Sequence, residues 1–173
     1  MPLQTETVLE AQNKFDLPFE HETFVRFLVE AKKNTYASST GDYKTKSLIS
    51  GGHQLEYASG EFLYRDIYMG EGFFAGQEIV YFKGKPVWSM TYAGQIYNSA
   101  SSEEINVVAR HLFASLARIE HIAPYRGPSR FDRNDCCYVN EYRGITSAFS
   151  GEELITLKGK QLFELRYSGG FLR

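Results

Sequence analysis

FAGQEIVYFKGKPVWSMTYAGQI, residues 74–96, returns 75 positions later as FSGEELITLKGKQLFELRYSGGF, residues 149–171. Eight of the 23 aligned positions are identical: Phe74/Phe149, Gly76/Gly151, Glu78/Glu153, Lys83/Lys158, Gly84/Gly159, Lys85/Lys160, Tyr92/Tyr167 and Gly94/Gly169. About one or two would match by chance. Ile79/Leu154, Val80/Ile155, Val87/Leu162, Trp88/Phe163 and Met90/Leu165 keep their character, so one burial pattern is written twice and two copies of one supersecondary unit are expected.

Within each copy, Lys-Gly-Lys between apolar runs predicts a tight hairpin, because glycine supplies the positive φ such a turn requires. A two-residue loop at Lys83-Gly84 would set Ile79 against Trp88, Val80 against Val87 and Glu78 against Ser89. Trp88, Met90 and Tyr92 then share one face, as do Phe163, Leu165 and Tyr167, and that face should meet the helices. The other would carry Ser89, Thr91, Glu164 and Arg166, together with Val80, Val87, Ile155 and Leu162. So apolar a face calls for cover from the lead-in, a long loop or another subunit.

Upstream the match continues with an offset one residue shorter: Tyr57/Phe131, Glu61/Asp135, Tyr64/Tyr138, Asp66/Asn140, Tyr68/Tyr142 and Gly70/Gly144. Ahead of copy one, Phe24, Phe27, Leu28 and Ala31 form a helical stripe within 19–34, with Arg26, Glu30 and Lys33 outward. Ahead of copy two, Ser101 and Glu104 have capping-box spacing, and Ile105, Val108, Leu112, Leu116 and Ile119 predict a core-facing stripe ending near Ile122. The fold class expected is α+β: an internally duplicated αβββ unit, antiparallel β-meanders packed with two main helices, and a pseudo-twofold. Residues 1–18 form a polar lead-in and 19–173 a single domain, with repeat one at about 19–98 and repeat two at about 101–173. Residues 35–52, rich in Ser, Thr, Gly and Lys, read as a long loop, a lid or an insertion.

A chain of 173 residues, 43% hydrophobic and 23% charged, has the composition of a soluble domain that needs no metal or disulfide to fold. Twelve Tyr and 13 Phe favour strands. A net charge of -2 argues against direct nucleic-acid binding. Without a signal peptide or an apolar run of membrane-spanning length, a cytoplasmic location and no membrane partner are expected. Adjacent Cys136 and Cys137 would alternate across a strand as buried or half-buried thiols. His21, His53, His111 and His121 lack metal-ligand spacing, so no metal and no cofactor is expected.

Several side chains are candidates for a ligand site. Tyr64, Asp66 and Tyr68 alternate onto one strand face, matched by Tyr138, Asn140 and Tyr142, and phenols around a carboxylate can hold a small polar ligand. Asp66 against Asn140 is the informative asymmetry: a site with one working copy would use Asp66. Glu78 and Glu153, if brought together, would make a carboxylate pair with one raised pKa; otherwise they are solvated strand-start charges. Arg126, in Tyr125-Arg126-Gly127-Pro128-Ser129-Arg130, could grip an anion or sit in an exposed connector. No nucleophile has an identifiable base, so no catalytic residue is assigned.

The stretches FVRFLVEAKKNTYAS at 24–38, LYRDIY at 63–68, FAGQEIVYFKGKPVWSMTYAG at 74–94 and FSGEELITLKGK at 149–160 resemble a bacterial domain family of unknown function. The resemblance covers residues 20–173, and such domains occur alone or behind a Cro/C1-type helix-turn-helix. That context implies sensing or interaction and supplies no catalytic residues. The lead-in is too short for a helix-turn-helix, so a regulatory role would need a separate DNA-binding partner. Small-ligand sensing or protein interaction without catalysis is therefore the first reading. The alternatives are an enzyme acting on a small metabolite through Asp66 or Glu78 with nearby tyrosines, and a homodimeric assembly module built on Val80, Val87, Ile155 and Leu162.

Overall fold

The computed structural model describes residues 16–36 and 44–173. Helix α1 spans His21–Asn34 and is followed by strands β1 (Lys44–Thr45), β2 (His53–Ser59), β3 (Phe62–Gly70), β4 (Phe73–Phe82) and β5 (Lys85–Ile96). Helix α2 spans Ser102–Leu116 and precedes β6 (Arg130–Arg133), β7 (Cys136–Ile145), β8 (Ala148–Leu157) and β9 (Lys160–Phe171). All nine strands form one antiparallel sheet in the order β1-β2-β3-β4-β5-β9-β8-β7-β6. Helix α1 is thus followed by a five-stranded meander and α2 by a four-stranded one, where the sequence pattern suggested three strands each. The strands not anticipated are β2 and β6 at the flanks, together with the two-residue β1.

The Lys83–Gly84 turn is a two-residue loop with φ of 49° and 78°, and Lys158–Gly159 repeats it at 51° and 79°. Two consecutive positive φ values make the turn whose twist matches that of the strands. Beyond the turn the expected register is wrong by one. A bulge between Val80 and Tyr81 sets Val80 opposite Trp88, Ile79 opposite Ser89 and Glu78 opposite Met90. A second bulge sets Ile155 opposite Phe163. One extra residue in a strand flips every later side chain relative to its partner. Val80 and Ile155 therefore join Trp88 and Phe163 on the core face, and both are fully buried, as is Leu162. A dimer face built on Val80, Val87, Ile155 and Leu162 is excluded on that ground.

Both helices contribute to one core. Phe24, Phe27, Leu28 and Ala31 of α1 and Val108, Leu112 and Leu116 of α2 are buried with Trp88, Met90, Tyr92, Phe163, Leu165 and Tyr167. Helix α1 lies over β2 and β3, and α2 over β7 and β8. The capping box of α2 forms: the Glu104 N–H donates to Ser101 Oγ at 3.2 Å, and the Ser101 N–H to Glu104 Oε2 at 2.7 Å. Ile105 is nonetheless 40% exposed, and the helix stops at Leu116 rather than near Ile122. There the chain tightens into i→i−3 bonds, Arg118 to Ser115 and Ile119 to Leu116, and the following segment turns inward as far as Tyr125 and Arg126. Ser89, Thr91, Glu164 and Arg166 lie on the opposite, wetter face as expected. The lead-in over 1–15 and the loop over 37–43, invoked as cover, lie outside the described residues.

At the centre of the sheet Tyr92 of β5 pairs with Tyr167 of β9. Each ring lies across a glycine of the neighbouring strand: a Cβ on Gly76 would sit 2.5 Å from the Tyr92 hydroxyl, and one on Gly151 would sit 2.3 Å from that of Tyr167. This close approach accounts for two of the repeated identities. Gly76→Ala is expected to lose about 1–3 kcal/mol by overpacking. Gly84→Ala, where a Cβ meets nothing within 4 Å, should lose only about 1 kcal/mol from its positive φ. Urea unfolding of both variants is the check, and equal losses would refute this account of Gly76.

Candidate functional site

Glu78 lies opposite Asp66 across β3 and β4, and Glu153 opposite Asn140 across β7 and β8. All four side chains are on the core face and buried, with both glutamates at 0% exposure. The expectation of solvated strand-start glutamates is therefore overturned. A buried carboxylate requires a counter-charge, and each glutamate has its own. Lys32 Nζ, fully buried on α1, sits 2.6 Å from Glu78 Oε2. Arg126 donates through Nε and Nη2 to Glu153 Oε2, each at 2.9 Å. Arg126 is itself buried, so the exposed-connector reading of its loop fails as well.

Cross-links tie these pairs into one cluster. Lys32 Nζ also donates to the Tyr125 carbonyl at 2.5 Å, and Arg126 lies 5.5 Å from the Tyr92 ring and 5.9 Å from the Tyr36 ring. Tyr92, reaching over Gly76, donates to Asp66 Oδ1 at 2.8 Å, and Tyr167, reaching over Gly151, donates to Asn140 Oδ1 at 2.7 Å. Lys32 also lies 5.5 Å from the Trp88 ring. Aromatic faces therefore line the contacts of both buried cations.

The two ends of the cluster differ in their hydrogen bonding. Around Glu153 every anticipated partner is engaged: Tyr138 donates its hydroxyl to Oε1, the Gly127 N–H donates to the Tyr138 oxygen at 3.0 Å, and Asn140 Nδ2 donates to the Gly127 carbonyl at 2.9 Å. Around Glu78 the corresponding groups are not. Tyr64 Oη, Tyr36 Oη and both Glu78 oxygens are buried without a hydrogen-bond partner among the described residues, Oε2 being met by the Lys32 ion pair alone; His21 Nε2, at the start of α1, is likewise unmatched. Leaving such groups unmet costs about 1–3 kcal/mol each, so this end of the cluster is held against its own polar demand.

Electrostatics mark the same end. Burial, then the facing Glu78 charge, push Asp66 up to about 7, against the opposing pull of the Tyr92 hydrogen bond, Arg126 and Lys32. Burial, then Glu78, raise the Tyr64 and Tyr36 phenols well above their ordinary range. Burial lowers Lys32 from its ordinary value, with Glu78 opposing. The carboxylate that acts on Asp66 is thus Glu78, its cross-strand neighbour.

Of the sequence candidates, Tyr64, Asp66, Glu78, Tyr138, Glu153 and Arg126 converge here. Tyr68 does not: it stacks on His53 at 5.0 Å. Tyr142, 40% exposed, packs edge-on against Tyr125 at 5.3 Å. Sequence reasoning missed Lys32, Tyr36, Tyr92 and Tyr167. Lys32 falls four residues after Leu28 on the buried stripe, and Tyr92/Tyr167 is a repeated identity; both were legible signals. Cys136 and Cys137 are free thiols, one buried and one half-buried. Among the described residues no group of three or more His, Cys, Asp or Glu side chains could hold a metal ion, and no helix is long and apolar enough to cross a membrane.

Residues 66–172, from Asp66 to the end of β9, match the family described as Domain of unknown function (DUF5680). The chain belongs to that family. No curated protein and no solved structure matches it. The DUF5680 match takes in Asp66, Glu78, Tyr92, Arg126, Asn140, Glu153 and Tyr167, whereas Tyr64, Lys32 and Tyr36 precede it.

A carboxyl raised from 3.8 to about 7 binds a proton in the folded state that the unfolded state releases. Its contribution to stability is thus complete below about pH 4 and lost as pH rises through about 7. Asp66→Asn, which installs the residue found at the corresponding position 140, should raise stability at pH 8 by roughly 1–4 kcal/mol. The gain should shrink steadily toward pH 4. Urea titrations across that range test it, and a difference independent of pH would refute the assignment.

Proposed function

We propose that this DUF5680 domain binds a small polar ligand without transforming it, at the buried cluster of Tyr36, Tyr64, Asp66 and Glu78. The observation that carries this reading is the contrast between the two ends of one cluster. Tyr138, Asn140 and Glu153 are saturated by one another and by the Arg126–Gly127 segment, whereas Tyr64 Oη and Glu78 Oε1 are buried and have no hydrogen-bond partner among the described residues. Buried polar groups are ordinarily satisfied, and the exceptions concentrate where something else supplies the partner. We read residues 19–173 as one duplicated domain with a pseudo-twofold between β5 and β9, in which one copy keeps the site and the other has filled it with its own chain. The mirrored strand order and the repeated tyrosine-over-glycine contacts support this reading. The resemblance to bacterial domains that occur behind a helix-turn-helix supports a sensing role.

One observation favours an enzyme as the second reading. Asp66, held near 7, has the proton affinity of a general base that operates at neutral pH. The two readings separate on turnover: none is expected under the first, whereas the second expects a turnover that Asp66→Asn abolishes.

Native mass spectrometry of freshly purified protein, against its denatured mass, tests the binding reading. A non-covalent adduct is expected, retained in Tyr142→Phe and lost in Tyr64→Phe. An adduct retained in Tyr64→Phe, or no adduct in any folded sample, would overturn it.

A further inference from the structure

The geometry points to a small organic cation with a guanidinium or ammonium head as the ligand of the buried Tyr64–Asp66–Glu78 cluster. This rests on the proposed binding site and specifies its chemistry.

The Glu153 end serves as a template. What satisfies it is a guanidinium on Glu153 Oε2, the Tyr138 hydroxyl on Oε1, a peptide N–H donating to the Tyr138 oxygen, and a peptide carbonyl accepting from Asn140 Nδ2. At the Glu78 end the cation is present as Lys32, the phenol-to-carboxylate bond and the N–H on the phenol are both missing among the described residues, and the fourth role is inverted. Glu78 Oε2 already has Lys32, which leaves Oε1 as an unmatched acceptor in a residue with no solvent exposure. Tyr64 Oη, also with no exposure, is unmatched beside it. Where Asn140 donates, Asp66 in its ionised form can only accept. A ligand completing this end must therefore present N–H groups to Glu78 and Asp66, where a carbonyl or a carboxylate would be refused.

Charge leads to the same chemistry. With Asp66 ionised, the cluster holds three buried carboxylates, Asp66, Glu78 and Glu153, against two buried cations, Lys32 and Arg126. One further positive charge balances it, and an anion would raise the imbalance. The walls suit a cation too: Tyr36, Tyr92 and Trp88 already lie within 6 Å of the two internal cations. The groups acting on Asp66 are Glu78 on β4, Tyr92 on β5, Lys32 on α1 and Arg126 in the segment after α2. Because Asp66 is pushed up to about 7, a cation that requires its ionised form should bind about ten-fold more tightly at pH 8 than at pH 6.

The test is calorimetric titration of the full chain, freed of adducts, with alkylguanidinium and alkylammonium ions from methyl to hexyl, each beside the alkylurea or alcohol of the same shape. Alkyl carboxylates of the same lengths serve as the anionic set. At least one cation should bind ten-fold or more tightly than its neutral counterpart at pH 8. Asp66→Asn should weaken that binding and remove its pH dependence, with circular dichroism confirming that the variant is folded; Tyr64→Phe serves as a second variant. Equal binding of cation and neutral isostere, preference for a carboxylate, or no cation binding at any length overturns the cationic assignment. The binding site itself is judged separately by the Tyr64-dependent adduct in mass spectrometry. A neutral or anionic adduct found there would leave the site standing and this inference refuted.

Discussion

Two buried ion pairs, Lys32–Glu78 and Arg126–Glu153, hold the arrangement on which the rest depends. Removing one member of such a pair leaves a buried charge and costs about 3–5 kcal/mol, so each cation must be delivered accurately. Lys32 arrives on α1, whose stripe of Phe24, Leu28 and Ala31 is already committed to the core. Arg126 arrives on the segment after α2, anchored by Tyr125 stacked on Phe149 at 4.0 Å. The bond from Lys32 to the Tyr125 carbonyl joins the two deliveries. Helix, loop and sheet are thereby locked through polar contacts inside an otherwise aromatic core.

The cost of this design falls unevenly. Where Asn140 stands opposite Glu153, a neutral amide meets a carboxylate and every group finds a partner. Where Asp66 stands opposite Glu78, two carboxylates face each other under low dielectric, one phenol is unmatched on the same sheet face and a second, Tyr36, beside it. A sheet built for stability alone would carry Asn at both positions. Keeping Asp66 gives up stability at neutral pH, where its raised carboxyl begins to ionise.

Several features were legible because they are local. The Lys-Gly-Lys turns follow from glycine's tolerance of positive φ, the α2 cap from Ser101 and Glu104, and the core face of β5 and β9 from strict alternation at Trp88, Met90 and Tyr92. The Asp66/Asn140 difference was legible as an asymmetry between aligned segments. The register was not: bulges at Val80/Tyr81 and Ile155/Thr156 leave no unambiguous mark in composition, yet each moves an isoleucine or valine from one face to the other. Strands β2 and β6 lacked a period strong enough to separate them from the loops beside them.

By itself the sequence determined that residues 74–96 resemble residues 149–171, that each stretch holds a tight antiparallel hairpin behind a helix, and that Asp66 aligns with Asn140. Period, turn chemistry and capping are properties of neighbours along the chain. Only the tertiary structure decided that Glu78 meets Lys32 and Glu153 meets Arg126, that Tyr92 reaches Asp66 across a glycine, and that one end of the cluster is saturated while the other is not. Those contacts join residues from 26 to 46 positions apart in a single low-dielectric volume. Their energies arise from burial and charge, which no spacing along the chain records.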